Sequence, residues 1–133
     1  MNHLNIHLKL KIYNLELFLM LSKANRISKE HFPYILRSGK RYNSPNLSLY
    51  LAPIADDKNQ VRFSFSISKK VSPLAVNRNK YRRWGYSAIA GGLKIIKPGY
   101  FYFFSFKKPK NKVSFWVLNE EIQELLRASN MLI

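Results

Sequence analysis

The sequence predicts an α+β fold, one sheet with helices packed on it, in the order helix, strands, helix, strand, helix. Three observations carry this. Leu47–Ala52 and Val61–Ser68 alternate apolar and polar residues with the period of two that a strand requires. Leu74–Ala88 and Leu118–Leu126 repeat apolar residues at helical spacing. Tyr100–Phe106 is a nearly unbroken aromatic run, suited to a strand covered on both faces. The 133 residues fit one domain, and the 47% hydrophobic content excludes a disordered basic tail.

Taken in order, Met1–Leu19 is an N-terminal extension of different character. Leu4, Ile6, Leu8, Leu10 and Ile12 alternate with polar residues, and Glu16 interrupts the apolar residues that follow. The stretch is too short and polar to span a bilayer, and no small-residue cleavage site follows it. Met20-Leu21-Ser22-Lys23 offers a more ordinary start, so the domain is expected to be 20–133. Ser28 can cap a helix over Lys29–Ser38 that Gly39 stops. Pro33 is harmless only in a first turn, so its regular part should begin near His31. Phe32, Ile35 and Leu36 then share a face. An extended piece at Arg41-Tyr42 precedes a break at Asn43–Asn46.

In the next strand Leu47, Leu49 and Leu51 oppose Ser48, Tyr50 and Ala52. After a turn at Asp56–Asn59, Val61, Phe63, Phe65 and Ile67 oppose the hydroxyl-rich set Arg62, Ser64, Ser66 and Ser68. These two strands read as an antiparallel hairpin. Ser72-Pro73 starts the next helix, with Leu74, Tyr81, Trp84 and Ala88 as its core stripe. Asn79, Arg82, Arg83 and Tyr86 fall on the opposite face, flanked by Arg78 and Lys80. Gly85 costs about 1 kcal/mol there relative to Ala, and Gly91-Gly92 ends the helix. A basic loop, Lys107–Lys112, follows the aromatic strand. Ser114 or Asn119 caps the last helix, whose Leu118, Ile122, Leu125 and Leu126 face inward; Glu120, Glu121 and Glu124 read as its solvated face.

Charge narrows the function. Twenty-three Lys and Arg against seven Asp and Glu leave +16, or +15 for a chain starting at Met20. Between Lys58 and Asn119 there are fourteen Lys or Arg and no acid. Surfaces built for solubility mix signs, so one sign over such a length points to a polyanion. The absence of cysteine excludes a disulfide scaffold, a thiolate zinc site and a cysteine nucleophile, and fits the cytoplasm. No constellation of acid, base and nucleophile stands out, so no catalytic residue and no metal site is expected in the polypeptide. His3 and His7 lack a third ligand, and Asp56-Asp57 has the composition of a turn. The strongest signal is a strand ending in Lys69-Lys70, followed by a helix carrying Arg78, Asn79, Lys80, Arg82 and Arg83. Arginines one turn apart, about 5.4 Å, match the spacing of successive phosphates and can grip them bidentately.

With Ser68-Lys69-Lys70, a short link, then Arg78-Asn79-Lys80-Tyr81-Arg82-Arg83, the chain resembles the bacterial ribonuclease P protein subunit. Met20-Leu21-Ser22-Lys23, Arg26-Ile27, His31-Phe32, Gly39 and Tyr50 extend the resemblance, which covers about Leu21–Ser129. It implies a four-stranded sheet in αβββαβα order with a left-handed βαβ crossover, against the usual hand. It implies a protein that assists a catalytic RNA in removing the 5′ leader of precursor tRNA, with Mg²⁺ held mainly by RNA and substrate. By position, the catalytic RNA would meet Lys69, Lys70, Arg78, Asn79, Lys80, Arg82, Arg83 and Tyr86. The precursor leader would lie against Phe32, Leu36 and Tyr50, and no stable membrane association is expected.

The chain departs from the family at Trp84-Gly85-Tyr86-Ser87, where another Arg and often Glu occur. A phosphate contact is lost there or passes to the Tyr86 hydroxyl. Leu36 replaces a second cleft aromatic, and Ser72-Pro73 the glycine after the lysines. The competing readings are a non-enzymatic module, ribosomal-type or single-strand RNA-binding, and a peripheral membrane protein. The mass of natively expressed protein is expected to place its N-terminus at Met20; intact Met1 would overturn that start.

Overall fold

The computed structural model describes residues 25–90, 92–109 and 112–133. The expected extension Met1–Leu19, the start at Met20, His3, His7, Gly91 and Lys110 lie outside the described residues. A 3₁₀ turn at Lys29–His31 leads into α1 (Phe32–Ser38). Then come β1 (Lys40–Asn43), β2 (Leu47–Pro53), β3 (Val61–Ser66), α2 (Ala75–Ala90), β4 (Tyr100–Phe106) and α3 (Phe115–Ala128). The element order is the αβββαβα order expected, and the sheet has four strands in the order β1-β2-β4-β3.

That strand order overturns the expected hairpin. β2 and β3 are not neighbours; β4 lies between them, antiparallel to β2 and parallel to β3. Burial explains it. Phe101, Tyr102, Phe103, Phe104 and Phe106 are all buried, so β4 needs cover on both faces and takes an interior place. The Asp56–Asn59 segment is a turn, with Asp57 Oδ1 accepting from the Asn59 N–H at 2.9 Å, but it belongs to a loop that crosses the start of β4. Ile54 N–H donates to Gly99 O and Gly99 N–H to Gln60 O, at 2.8 and 2.6 Å. Gly99 holds φ at +90°, and a β-carbon there would stand 3.0 Å from the Lys58 carbonyl oxygen.

Each face of the sheet has its own core. Leu47, Leu49, Leu51, Phe63, Phe65, Tyr102, Phe104 and Phe106 pack beneath α2 and α3, with Ile89, Leu118, Ile122, Leu125 and Leu126 from the helices. On the other face Ala52, Phe101 and Phe103 pack with Ile35 of α1, Ile27 and Ile54. β2 is therefore more buried than an alternating strand implies: Ala52 lies under α1, and Ser48 is enclosed with its hydroxyl donating to Asn43 Oδ1 at 2.8 Å.

Several helix details differ from expectation. Pro33 lies in the first turn of α1, as its missing N–H demands, but Ser28 caps nothing and donates instead to Glu30 Oε1. α2 begins at Ala75, because Ser68–Ser72 closes a separate turn through Val71 and Ser72 N–H bonds to Ser68 O. Leu74 is consequently 61% exposed rather than part of the core stripe. Ser114 caps α3, accepting from Val117 N–H at 3.3 Å. Glu121 thus stands in the second turn and is buried rather than solvated. Its carboxylate accepts from Ser44 Oγ, Asn46 N and Asn46 Nδ2 at 2.5, 2.8 and 2.6 Å, binding α3 to the β1–β2 turn.

Gly85 marks the closest approach of α2 to the sheet. A β-carbon there would stand 2.4 Å from Phe65 Cδ1. Phe65 is buried and stacked on Phe104, with centroids 4.9 Å apart and planes 6° apart, so its ring has nowhere to retreat. Gly85→Ala should therefore lower stability by about 1–3 kcal/mol in urea unfolding, overpacking outweighing the gain of about 1 kcal/mol in helix propensity. A stabilised variant would refute this contact.

Candidate nucleic-acid interface

Two surfaces are candidates, one on each side of the sheet. The first is the outer side of α2 with the turn before it. Lys69 and Lys70 are exposed in that turn, and Asn79 and Arg83 are exposed on the helix. Arg82 Nη1 donates to Asn79 Oδ1 at 2.8 Å, which orients the guanidinium along the helix. Arg78 is turned back: its Nη1 donates to the Ser72 and Pro73 carbonyl oxygens at 3.0 and 2.7 Å, tying the link to the helix. Lys80 leans the other way, over the rings of Trp84 and Tyr81 at 5.0 and 5.5 Å. The expected residues thus share one helix without sharing one direction.

Tyr86 departs most from expectation. It is only 7% exposed, its ring edge-on to Phe65 at 4.9 Å, because the covered face of α2 runs through Gly85, Tyr86, Ala88 and Ile89, turned from the expected stripe, whose Tyr81 and Trp84 are only half-buried. It still lines the wall of an open cleft of about 550 Å³, with Arg26, Val76, Asn79, Arg82 and Arg83. Burial raises the Tyr86 phenol above its usual range, while the charges of Arg26 and Arg82 pull it down. Arg26 has no local sequence signal for this place. It arrives because residues 26–27 run along the outer edge of β3, with Arg26 bridged to Phe63 and Ile27 N–H donating to Phe63 O.

The second surface lies on the opposite face, beside α1. Strand register lines up Arg41, Tyr50, Phe103 and Ser64 in one row, and Asn43, Ser48, Ser105 and Ser66 in the next. Four strands at about 4.8 Å make each row about 14 Å wide. Phe32 meets Phe103 edge-on at 5.1 Å, Tyr50 lies 5.6 Å from Phe103, and the Arg41 guanidinium covers the Tyr50 ring at 5.5 Å. Phe32 and Tyr50 therefore do converge, through Phe103. Leu36, one turn after Phe32 on α1, is 52% exposed. Sequence reasoning missed Phe103 and Arg41 as members of this surface. The β1–β2 register would have revealed Arg41, but its only trace was a two-residue extended piece.

Among the described residues no group of three or more His, Asp or Glu is placed to hold a metal ion. Between them the two surfaces offer guanidinium, ammonium, hydroxyl and aromatic groups, a donor set that fits phosphate and bases rather than a divalent cation. No helix among the described residues is long and apolar enough to cross a membrane.

The sequence pattern of the ribonuclease P family matches residues 21–130. The ribonuclease P protein component of Synechococcus elongatus is 32% identical over 83 residues, spanning 60% of this chain and 68% of that protein. The one from a Cyanothece species is 27% identical over 128 residues, spanning 85% and 98%. Among solved structures, the Staphylococcus aureus RNase P protein superposes with a TM-score of 0.75 at 20% identity, covering 84% of this chain and 100% of that one. The RNase P protein from Thermotoga maritima gives 0.67 at 21% identity, covering 77% and 96%. These likenesses show the shared α+β fold, and the match along residues 21–130 shows that the chain belongs to the ribonuclease P protein family.

Proposed function

We propose that this chain, in the cytoplasm, binds the catalytic RNA of ribonuclease P through α2 and its preceding turn, and holds the 5′ leader of precursor tRNA against the sheet beside α1. Family membership supplies the frame: this is the protein component of a metal-dependent ribonucleoprotein that cleaves precursor tRNA, partnered with the ribonuclease P RNA. The observation that carries the finer reading is the separation of two chemically different surfaces by one sheet. One is cationic and suits a folded phosphate backbone. The other is aromatic and hydroxyl-lined and suits unpaired bases.

On the first surface Lys69, Lys70, Asn79, Arg82 and Arg83 meet phosphates of the catalytic RNA, Arg78 chiefly holds the link that presents Lys69 and Lys70, and Lys80, turned toward Trp84, stands at the edge of that surface. Tyr86 contributes its hydroxyl at the wall of the arginine-lined cleft. On the second, Tyr50 and Phe32 present rings to leader bases, Leu36 closes one side, and serine hydroxyls along β3 and β4 meet the sugar-phosphate backbone. Mg²⁺ is assigned to the RNA and the substrate phosphates, since the protein's donor set does not suit it. The polypeptide's share of the work is neutralising phosphate and orienting the leader.

Two measurements test this. Binding of full-length protein to the catalytic RNA across salt should show the log K slope falling in magnitude by about 0.7–0.9 for each of Arg82→Ala and Arg83→Ala. An unchanged slope would remove α2 from the interface. Tyr50→Ala should weaken leader-bearing precursor by about 5- to 150-fold, the value of one stacked base, while leaving mature tRNA unaffected. Equal losses for both substrates would dismiss the leader surface.

A further inference from the structure

We propose that the aromatic edge where α2 meets the first turn of α3 is an additional site for unpaired RNA, with Trp116 as its stacking surface. The assignment rests on the reading of this chain as an RNA-binding subunit, but uses neither of the surfaces above as its base-binding element. Trp116 is 73% exposed, an unusual state for an indole with this much apolar area. It is also well supported. Its ring lies 5.3 Å from Phe115, Phe115 lies 6.2 Å from Trp84, and Trp84 lies 5.5 Å from Tyr81, each pair edge-on. The result is a braced ladder of rings ending at an open indole. It stands on the α2–α3 side of the sheet, opposite the leader surface.

Charge decides what could cover that indole. Lys80 holds its ammonium 5.0 Å from the Trp84 ring, on the flank of α2 away from Asn79 and Arg82. Beside the same turn of α3, a groove of about 590 Å³ is lined by Lys107, Lys108 and Lys112 with Val113 and Val117. Lys107 is fixed there by donating to Ser44 O at 2.9 Å. Glu120, one turn along α3 from Trp116, would repel a phosphate, which favours the lysine side for the RNA backbone. Rings that offer a face, with ammonium groups on one side, fit a nucleobase and its flanking phosphates. A second copy of the chain would bring another +16 against this basic edge.

The test uses the full chain with two probes, an oligoadenylate of about ten nucleotides and a GC-paired RNA duplex of equal length. Trp116→Ala should weaken oligoadenylate by about 5- to 150-fold and leave duplex binding unchanged, while Trp116→Phe retains most of the affinity. In a Trp84→Phe background Trp116 is the sole indole, and its fluorescence should be quenched by oligoadenylate but not by duplex. Wild-type affinity in Trp116→Ala beside a loss in Tyr50→Ala would overturn this site and leave the leader surface standing. Reduced self-association, or lost binding to an acidic peptide, with unchanged RNA affinity would overturn it by giving the edge to a protein. Wild-type protein that binds neither RNA would overturn the underlying reading as well.

Discussion

The fold depends on how closely α2 can lie on the ring of Phe65. That ring is stacked on Phe104 beneath it, meets Tyr86 edge-on, and occupies the space a side chain at Gly85 would need. The same contact accounts for three separate features. Gly85 is tolerated inside a helix because any larger residue would collide. Tyr86 is buried because it meets the same ring and belongs to the covered face of α2, with Gly85, Ala88 and Ile89. The Asn79, Arg82 and Arg83 side chains are carried on a helix that packing, rather than propensity, holds in place.

Rigid presentation matters because this helix has no acidic neighbours to organise its charges. Among the described residues the Lys or Arg ion pair within 4 Å is Glu124–Arg127 on α3, and Glu30 lies 3.5 Å from His31 before α1. Glu121 does not balance a cation at all; it gathers one backbone amide and two side chains of the Ser44–Asn46 turn. Repulsion among unpaired cations opposes compactness in the free protein. The two cores offset it, and a polyanionic partner would relieve it. An interior built from stacked aromatic residues and an exterior left uncompensated are thus two parts of one arrangement.

The sheet keeps two chemically different surfaces apart, one cationic and one aromatic. Because side chains alternate along β2 and β4, Tyr50 and Phe103 must point away from Leu49 and Phe104. Two helices, α2 and α3, cover one face, whereas the short α1 covers the other only in part. The exposed remainder, with Ser64, Ser66 and Ser105, is open because α1 has two turns and cannot reach further.

The residues alone determined the element types and their order, since each is written in local periodicity: alternation in β2 and β3, apolar spacing in α3, proline in the first turn of α1. They also determined that a basic helix follows Lys69-Lys70, because charge and spacing are local properties. Strand pairing was not local. β2 and β3 carry the pattern of a hairpin, and only burial of β4 on both faces explains why it separates them. Arg26, Arg41 and Phe103 were illegible as site members because edge bridging and strand register bring them there. Tyr86 and Glu121 read as surface residues until packing enclosed them. Local chemistry marked α2 as a basic helix; which of its faces packs on Phe65, through Gly85, Tyr86, Ala88 and Ile89, decided which of its side chains remain exposed.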